Sequence, residues 1–400
     1  MVIRLDKAVQ RKILQDYGVA LTRSYIFKLL EMGAVYYQDE VIKKKGFKFN
    51  SESEADKIVF DEKKVQAVIK EYRTGKMADK YAEMWHNSAP VGLFDLRKDY
   101  IDQVQVDKSD VLYEDDDVVV MYKPAGVISH PTGRDMYEDS MIYRFLKYMK
   151  DVHDFMPRAG LVHRLDRETQ GLLLFAKNMH AYNTLKEQFN NNQVIKLYLV
   201  AYYIPEHPYG RARPILSKLS DNKRDVLNFK DKEFFDNVLK LDNVDVKGYI
   251  SMFRFKHKAA FVHQKKELKK RIFRQIKDAH SIEFPLYKKG RVGFSILQLL
   301  TGRTHQIRAQ HEYLGLFVLG DKLYSSAKIY KQAMAEVAKL LESKGNLQDN
   351  SIEHSESKVQ LGRGAIGLVA YGLSFYKVAD SSERVYVKLP MNKVSFSEIL

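Results

Sequence analysis

Ile26, Phe27, Leu29 and Leu30 recur at helical spacing after Thr22, a residue able to cap a helix start, and Gly33 marks the stop. Residues 34–37 then read as a strand, Gln38-Asp39-Glu40 as a turn, and a second strand runs into Lys43-Lys44-Lys45. Residues 57–60 form a third short strand, and 62–72 look helical. This small unit has few apolar positions to spare. From 73 to 106 the pattern fades around Gly75, Pro90, Gly92 and the single tryptophan, Trp85, which predicts a long linker.

Past Val111 the chain turns strand-rich. Residues 118–122 are an apolar run after an acidic turn, the mark of a buried strand, and Lys123-Pro124-Ala125-Gly126 breaks it. Ser140 caps a helix bearing Ile142, Phe145, Leu146 and Met149. Residues 172–176, 194–203 and 294–300 read as strands, with a helix around Leu185 and Phe189. Two stretches look inserted. One, 205–289, holds the basic run 265–271; the other, 327–362, is a helix to Ser343 followed by a polar loop. Strands return at 367–376 and 385–389. The expected class is α+β, with helices set between strands.

Composition narrows the chemistry. The chain has 400 residues, more than one ordinary domain needs, and 45% of them are hydrophobic, enough for a sizeable core. With 66 basic and 51 acidic residues the net charge is +15, which attracts polyanions: nucleic acid first, an anionic membrane surface second. The absence of cysteine removes disulfides, thiol catalysis and cysteine-based metal centres. Seven histidines (130, 153, 163, 257, 263, 305 and 311) show no HExxH spacing and no cysteine supports them, so no metal is expected. Residues 1–10 lack a signal peptide's apolar core and no membrane-length apolar run occurs, which points to a cytoplasmic protein with no membrane partner.

The densest polar signal is His163-Arg164-Leu165-Asp166-Arg167-Glu168-Thr169-Gln170-Gly171, set between apolar flanks. A polar loop feeding a buried strand is where a scaffold holds reactive groups, and Asp166 is the candidate nucleophile against an electron-poor anomeric carbon. A turn with surface ion pairs fits the same residues. In Thr301-Gly302-Arg303-Thr304-His305-Gln306-Ile307-Arg308, Arg308 could hold a buried carboxylate ionised, while Arg303 and His305 could meet phosphates or a base; a basic surface loop is the plainer alternative. Lys196 and Tyr198 alternate onto one face of a strand, where the tyrosine could stack on a base, move a proton, or simply pack in the core.

Taken in order, these segments resemble the RluA-type pseudouridine synthases. The resemblance rests on Lys123-Pro124-Ala125-Gly126 with His130-Pro131, on residues 163–174, on Lys196-Leu197-Tyr198, on the complete Gly-Arg-Thr-His-Gln-Ile-Arg at 302–308, and on Leu314-Gly315, Gly320-Asp321 and Tyr324. It implies a catalytic domain over 106–400, with a mixed, largely antiparallel central sheet. Asp166 would act on a flipped-out uridine without metal or organic cofactor. Tyr198 would pack on the base and take the proton, and Arg308 would pair with Asp166. Arg164 would hold the extruded site open, and His163, Thr169, Lys196, Arg303 and His305 would complete the substrate site. Residues 1–61 resemble the small α/β RNA-binding domain named after ribosomal small-subunit protein S-four, joined by the 62–105 linker. Its implied phosphate contacts are Arg4, Arg23, Lys28, Lys43, Lys44 and Lys45.

The chain departs from the family pattern at Gln170, which stands where a serine is usual, at Leu316-Phe317-Val318, and in the length and basicity of 205–289. The implied substrate is RNA: large-subunit ribosomal RNA first, transfer RNA second, bound by a monomer. Two other classes compete. An inactive RNA-binding assembly factor would have no need of Asp166, Tyr198 and Arg308 together. A lipid-surface protein would need a basic amphipathic helix, for which 265–277 is a faint candidate.

Overall fold

Leu5, Val9 and Ile13 recur at four-residue intervals and give one apolar stripe to a helix that the charges around them obscure in the sequence. In the computed structural model, which describes residues 3–17, 21, 23–44, 46–74, 101, 104–130, 138–149, 156–222, 225–253, 257–268, 275–343 and 364–400, β1 (Ile3–Arg4) leads straight into α1 (Leu5–Tyr17). The expectations placed on Thr22, Lys45, Trp85, His153, residues 269–271 and the 346–358 loop, and on the side chain of Arg23, lie outside what is described. The chain folds as two units, Met1–Gln103 with Met149–Ala159, and Val104–Tyr148 with Gly160–Leu400.

In the first unit α2 (Arg23–Glu31) ends at Gly33, whose φ of +62° lets the N–H of Ala34 reach back to the Leu29 carbonyl at 2.9 Å. β2 (Val35–Tyr37) and β3 (Glu40–Val41) form a hairpin; Gln38 and Asp39 both take positive φ, the twist that Asn-Gly usually supplies. β4 (Lys48–Phe49) pairs with β1, and α3 (Glu52–Ala55) is capped by the Ser51 hydroxyl. β5 (Val59–Phe60) closes on β2, and α4 (Glu62–Thr74) follows. Leu5, Val9, Ile26, Leu30, Val35 and Phe49 meet in one core.

The second unit is built on one sheet. β6 (Val111–Glu114) and β7 (Val118–Lys123) form an antiparallel pair. α5 (Met141–Met149) starts where the Ser140 hydroxyl accepts the Tyr143 N–H. β8 (Gln170–Ala176), α6 (Met179–Asn190) and β9 (Ile195–Tyr203) follow, then the short α7 (Arg213–Leu216) and α8 (Asp231–Val238). β10 (Val244–Met252), β11 (Ala259–Val262), β12 (Lys277–Lys289) and β13 (Val292–Leu299) lead to α9 (Gln306–Leu314) and β14 (Phe317–Val318). α10 (Ala327–Glu342), β15 (Leu368–Tyr376) and β16 (Arg384–Lys388) complete the described elements. The sheet order is β11-β10-β12-β13-β9-β15-β8-β7-β6, with β14 added to β9 and β16 to β15. Every pairing is antiparallel except β15 with β8. The architecture is thus α+β on a mixed, largely antiparallel sheet.

The stretch 205–289 is part of this sheet and not an excursion from it. β12 pairs with β13 from Ser281 opposite Leu299 to Lys289 opposite Val292, and β10 and β11 extend the sheet beyond it. Alternation of Val244 and Val246 with Asp245 and Lys247 is the period-two pattern that marks a half-covered strand. At the middle of the sheet Gly171 takes φ +124°, and a Cβ there would lie 2.2 Å from the Ala370 carbonyl oxygen. Only glycine allows β8 and β15 to run side by side at that point.

Candidate active site

Asp166 sits on the loop that enters β8, and its immediate neighbours are clamped from behind. The Ser129 hydroxyl donates to the Leu165 carbonyl (2.7 Å) and accepts the Leu165 N–H (3.0 Å). Gly126 donates its N–H to the Arg167 carbonyl at 2.8 Å. Lys123 is wholly buried, and its ammonium donates to three carbonyls: Val127 (2.6 Å), Pro124 (3.0 Å) and Arg167 (3.0 Å). Burial pulls the Lys123 ammonium down to about 7, with Asp166 and Glu168 pulling it back up. The Lys-Pro-Ala-Gly segment therefore splints the Asp166 loop, and Asp166 itself stays about one-fifth exposed.

The loop faces a cleft of about 110 Å³, several times the ~10–15 Å³ that one water needs. Arg164, Asp166, Thr169, Tyr198, Arg303 and His305 all line it, as does Arg308. Tyr198 comes from β9, between Leu297 of β13 and Ala370 of β15. Burial first, and then the charge of Asp166, raises its phenol well above the ordinary value, so it stays protonated at neutral pH. His305 holds a left-handed backbone (φ +56°) at the start of α9, a strained position for a non-glycine residue. Its Nδ1 lies 3.1 Å from the Tyr324 hydroxyl, which already accepts the Ala259 N–H at 2.7 Å. That arrangement favours Tyr324 donating to Nδ1, which leaves the ring proton on Nε2, 3.9 Å from the Asp166 carboxylate. Burial lowers the His305 pKa, against an opposing pull from Asp166.

Arg308 lies beneath this cluster on α9, almost fully buried. Its Nε and Nη2 donate to the two oxygens of Asp321 at 2.6 and 2.8 Å, and Nη1 donates to Glu168 at 3.1 Å. Burial opposes its charge, but Asp321, then Glu168 and Asp166, more than offset this. The expected direct pair between Arg308 and Asp166 does not form: the fork is filled by Asp321, whose carboxylate also accepts the N–H groups of Leu323 and Tyr324. Two other expected substrate contacts point elsewhere. The His163 imidazole accepts the Leu174 N–H at 3.1 Å and stacks on Phe189; burial and Lys196 push it down to about 3, so it is neutral. Lys196 places its ammonium over the Phe189 ring. Gln170, the departure from the family pattern, directs its amide to Tyr122 and Ser395, neither of which lines the cleft.

Residues 117–313 match the family model described as RNA pseudouridylate synthase. The chain belongs to the RNA pseudouridylate synthase family. Among curated relatives, an uncharacterized RNA pseudouridine synthase of Aquifex aeolicus is 26% identical over 338 residues, 83% of this chain and 80% of that one. Ribosomal large subunit pseudouridine synthase D of Borreliella burgdorferi is 27% identical over 222 residues, 54% of each chain, so the match spans about half its length. The enzyme of that name from Neisseria meningitidis serogroup B is 39% identical over 89 residues, 22% of this chain and 23% of its own. Of solved structures, human RNA pseudouridylate synthase domain containing 4 aligns with a TM-score of 0.47 at 21% identity, over 73% of this synthase and 93% of that chain.

Sequence reasoning missed Asp321 as the partner of Arg308, Ser129 as a loop clamp, and a buried pair behind α9 of the synthase. There, among the described residues, Glu283 of β12 has no well-formed hydrogen bond to either carboxylate oxygen, Ser295 being only close by, and His311 Nε2, also without one, lies 3.7 Å away. Burial pushes Glu283 up to about 8, against a weaker pull from Ser295, and pushes His311 down to about 4. Both are therefore uncharged at neutral pH. An unfolded carboxyl titrates near the ordinary value of 4.5, so between there and about 8 the native state holds the extra proton, and stability falls as pH rises. His311 acts in the opposite sense, but only between about 4 and its ordinary 6.5. Between pH 6.5 and 8 wild-type stability should therefore fall by about 2 kcal/mol relative to Glu283→Gln. Urea unfolding of both proteins across that range checks this; parallel curves would mean that Glu283 is ionised in the fold.

Proposed function

We propose that this enzyme isomerises uridine to pseudouridine in structured RNA, with large-subunit ribosomal RNA as its substrate. The reading is carried by one arrangement: Asp166, presented on a clamped loop, shares a cleft with the buried, uncharged Tyr198 above the Arg308–Asp321 pair. A uridine extruded from its stack would enter that cleft. The Asp166 carboxylate acts on the ribose as the N1–C1′ bond breaks. The freed base turns, C5 bonds to C1′, and the C5 proton leaves. Tyr198 packs against the base. Being a phenol held protonated, it moves that proton as a relay, passing its own on as it accepts, and the step balances because N1 takes up one proton for the one that C5 loses. Arg308 and Arg164 supply positive potential around Asp166 without touching it, and Thr169 and Arg303 flank the entering nucleotide.

The substrate class is supported by the net charge of +15 and by the relatives named for the large ribosomal subunit. The N-terminal unit contributes an S-four-like RNA contact through the exposed Lys43 and Lys44 and the partly buried Lys28; Arg4 is already tied to Asp6 at 2.7 Å and counts for less. Incubating the pure protein with unmodified ribosomal and transfer RNA transcripts, followed by chemical mapping, tests the reading. Pseudouridine at one or a few positions of the large-subunit RNA is the expected result. Marks on transfer RNA alone would overturn the substrate. Tight binding with no mark on either RNA would overturn catalysis and leave an RNA-binding factor.

A further inference from the structure

The loop that borders the cleft has a second side. Gly302, Arg303 and Thr304 also wall a groove of about 280 Å³, floored by Ile250 and Met252 of β10 and edged by Lys277 at the start of β12. Arg303 lines both spaces. Its Nε donates to the Asp278 carbonyl at 2.9 Å, which pins the side chain to β12, while its terminal nitrogens bond no group among the described residues. Lys277 is exposed and forms no ion pair among the described residues. At Gly302 nothing lies within 4 Å of where a side chain would begin, so the rim between the two spaces is open there.

We propose that this groove seats the nucleotide adjacent to the target uridine, with its phosphate between Arg303 and Lys277 and its base on the Ile250–Met252 floor. The proposal rests on the pseudouridine reading. A flipped nucleotide stays covalently joined to its strand, so the strand must leave the cleft across its rim. Here the rim is low, and beyond it stand two cations without carboxylate partners, the complement of a phosphodiester. Methionine is flexible and polarizable, so the floor accepts any of the four bases. The groove therefore selects for a neighbouring nucleotide that can leave its stack, not for a particular sequence. On this view the strands β10–β12 are a substrate-binding extension of the sheet.

The test uses the RNA that the wild-type protein modifies in the transcript comparison. Lys277→Glu should raise KM about tenfold with kcat within about twofold and an unchanged unfolding midpoint. Lys277→Gln should flatten the slope of log affinity against log salt by about 0.7, the loss of one single-strand phosphate contact. Wild-type KM in the first variant together with a wild-type slope in the second would overturn the groove while leaving the synthase reading intact. A wild-type protein that marks no RNA would overturn the reading beneath it.

Discussion

Asp166→Asn is expected to abolish pseudouridine formation, by roughly 10⁴-fold or more, while RNA affinity stays within about threefold. The amide keeps the shape of the side chain but can neither attack nor take a proton from the ribose. Among the described residues the Asp166 carboxylate accepts no hydrogen bond; its backbone carbonyl takes the Thr169 N–H, which the substitution keeps, and the clamps act on the backbone of Leu165 and Arg167. Stability should therefore match wild type. Single-turnover assays with filter binding on the same RNA make the comparison. A variant that still turns over at even a hundredth of the wild-type rate would show that another group carries the chemistry.

The second large effect is expected at Asp321→Asn. Asp321 is wholly buried and neutralises Arg308 through two short hydrogen bonds. Removing the charge leaves a buried guanidinium with only the partly exposed Glu168, which should cost roughly 3–5 kcal/mol. Activity should also fall, because Asp321 accepts the Tyr324 N–H, and Tyr324 orients His305 beside Asp166. Structural and functional losses separate in the double variant Arg308→Met/Asp321→Leu. An apolar pair of similar volume should recover most of the stability but not the rate. Recovery of both would mean that the ion pair serves packing alone.

The site was legible wherever chemistry is concentrated in a few consecutive residues. Five ionisable side chains lie between His163 and Glu168, and three more fall within Arg303–Arg308, so Asp166, Arg303, His305 and Arg308 stood out and share one cleft. The partner of Arg308 was not legible: the sequence offers many carboxylates, and only the turn after β14 brings Asp321 beneath α9. His163 and Lys196 misled because a polar residue in a motif reads as a contact, whereas Phe189 on α6 draws both away from the cleft. In the fold, strands with long apolar runs such as β7 and β9 were plain. α1, β10 and β12 were not, because charges on their exposed faces hide a regular apolar period beneath them.

β15 lies between β9, which carries Tyr198, and β8, whose entry loop carries Asp166. It is also made long after either. During synthesis the two halves of the cleft therefore leave the ribosome without the strand that joins them, and they must wait for it with unpaired edges. Nascent chains stalled before Leu368 should bind chaperones and lack activity, however complete their catalytic residues. The enzyme becomes competent only once this late strand has been inserted, so the assembly of the cleft is tied to one of the last sheet strands to be made.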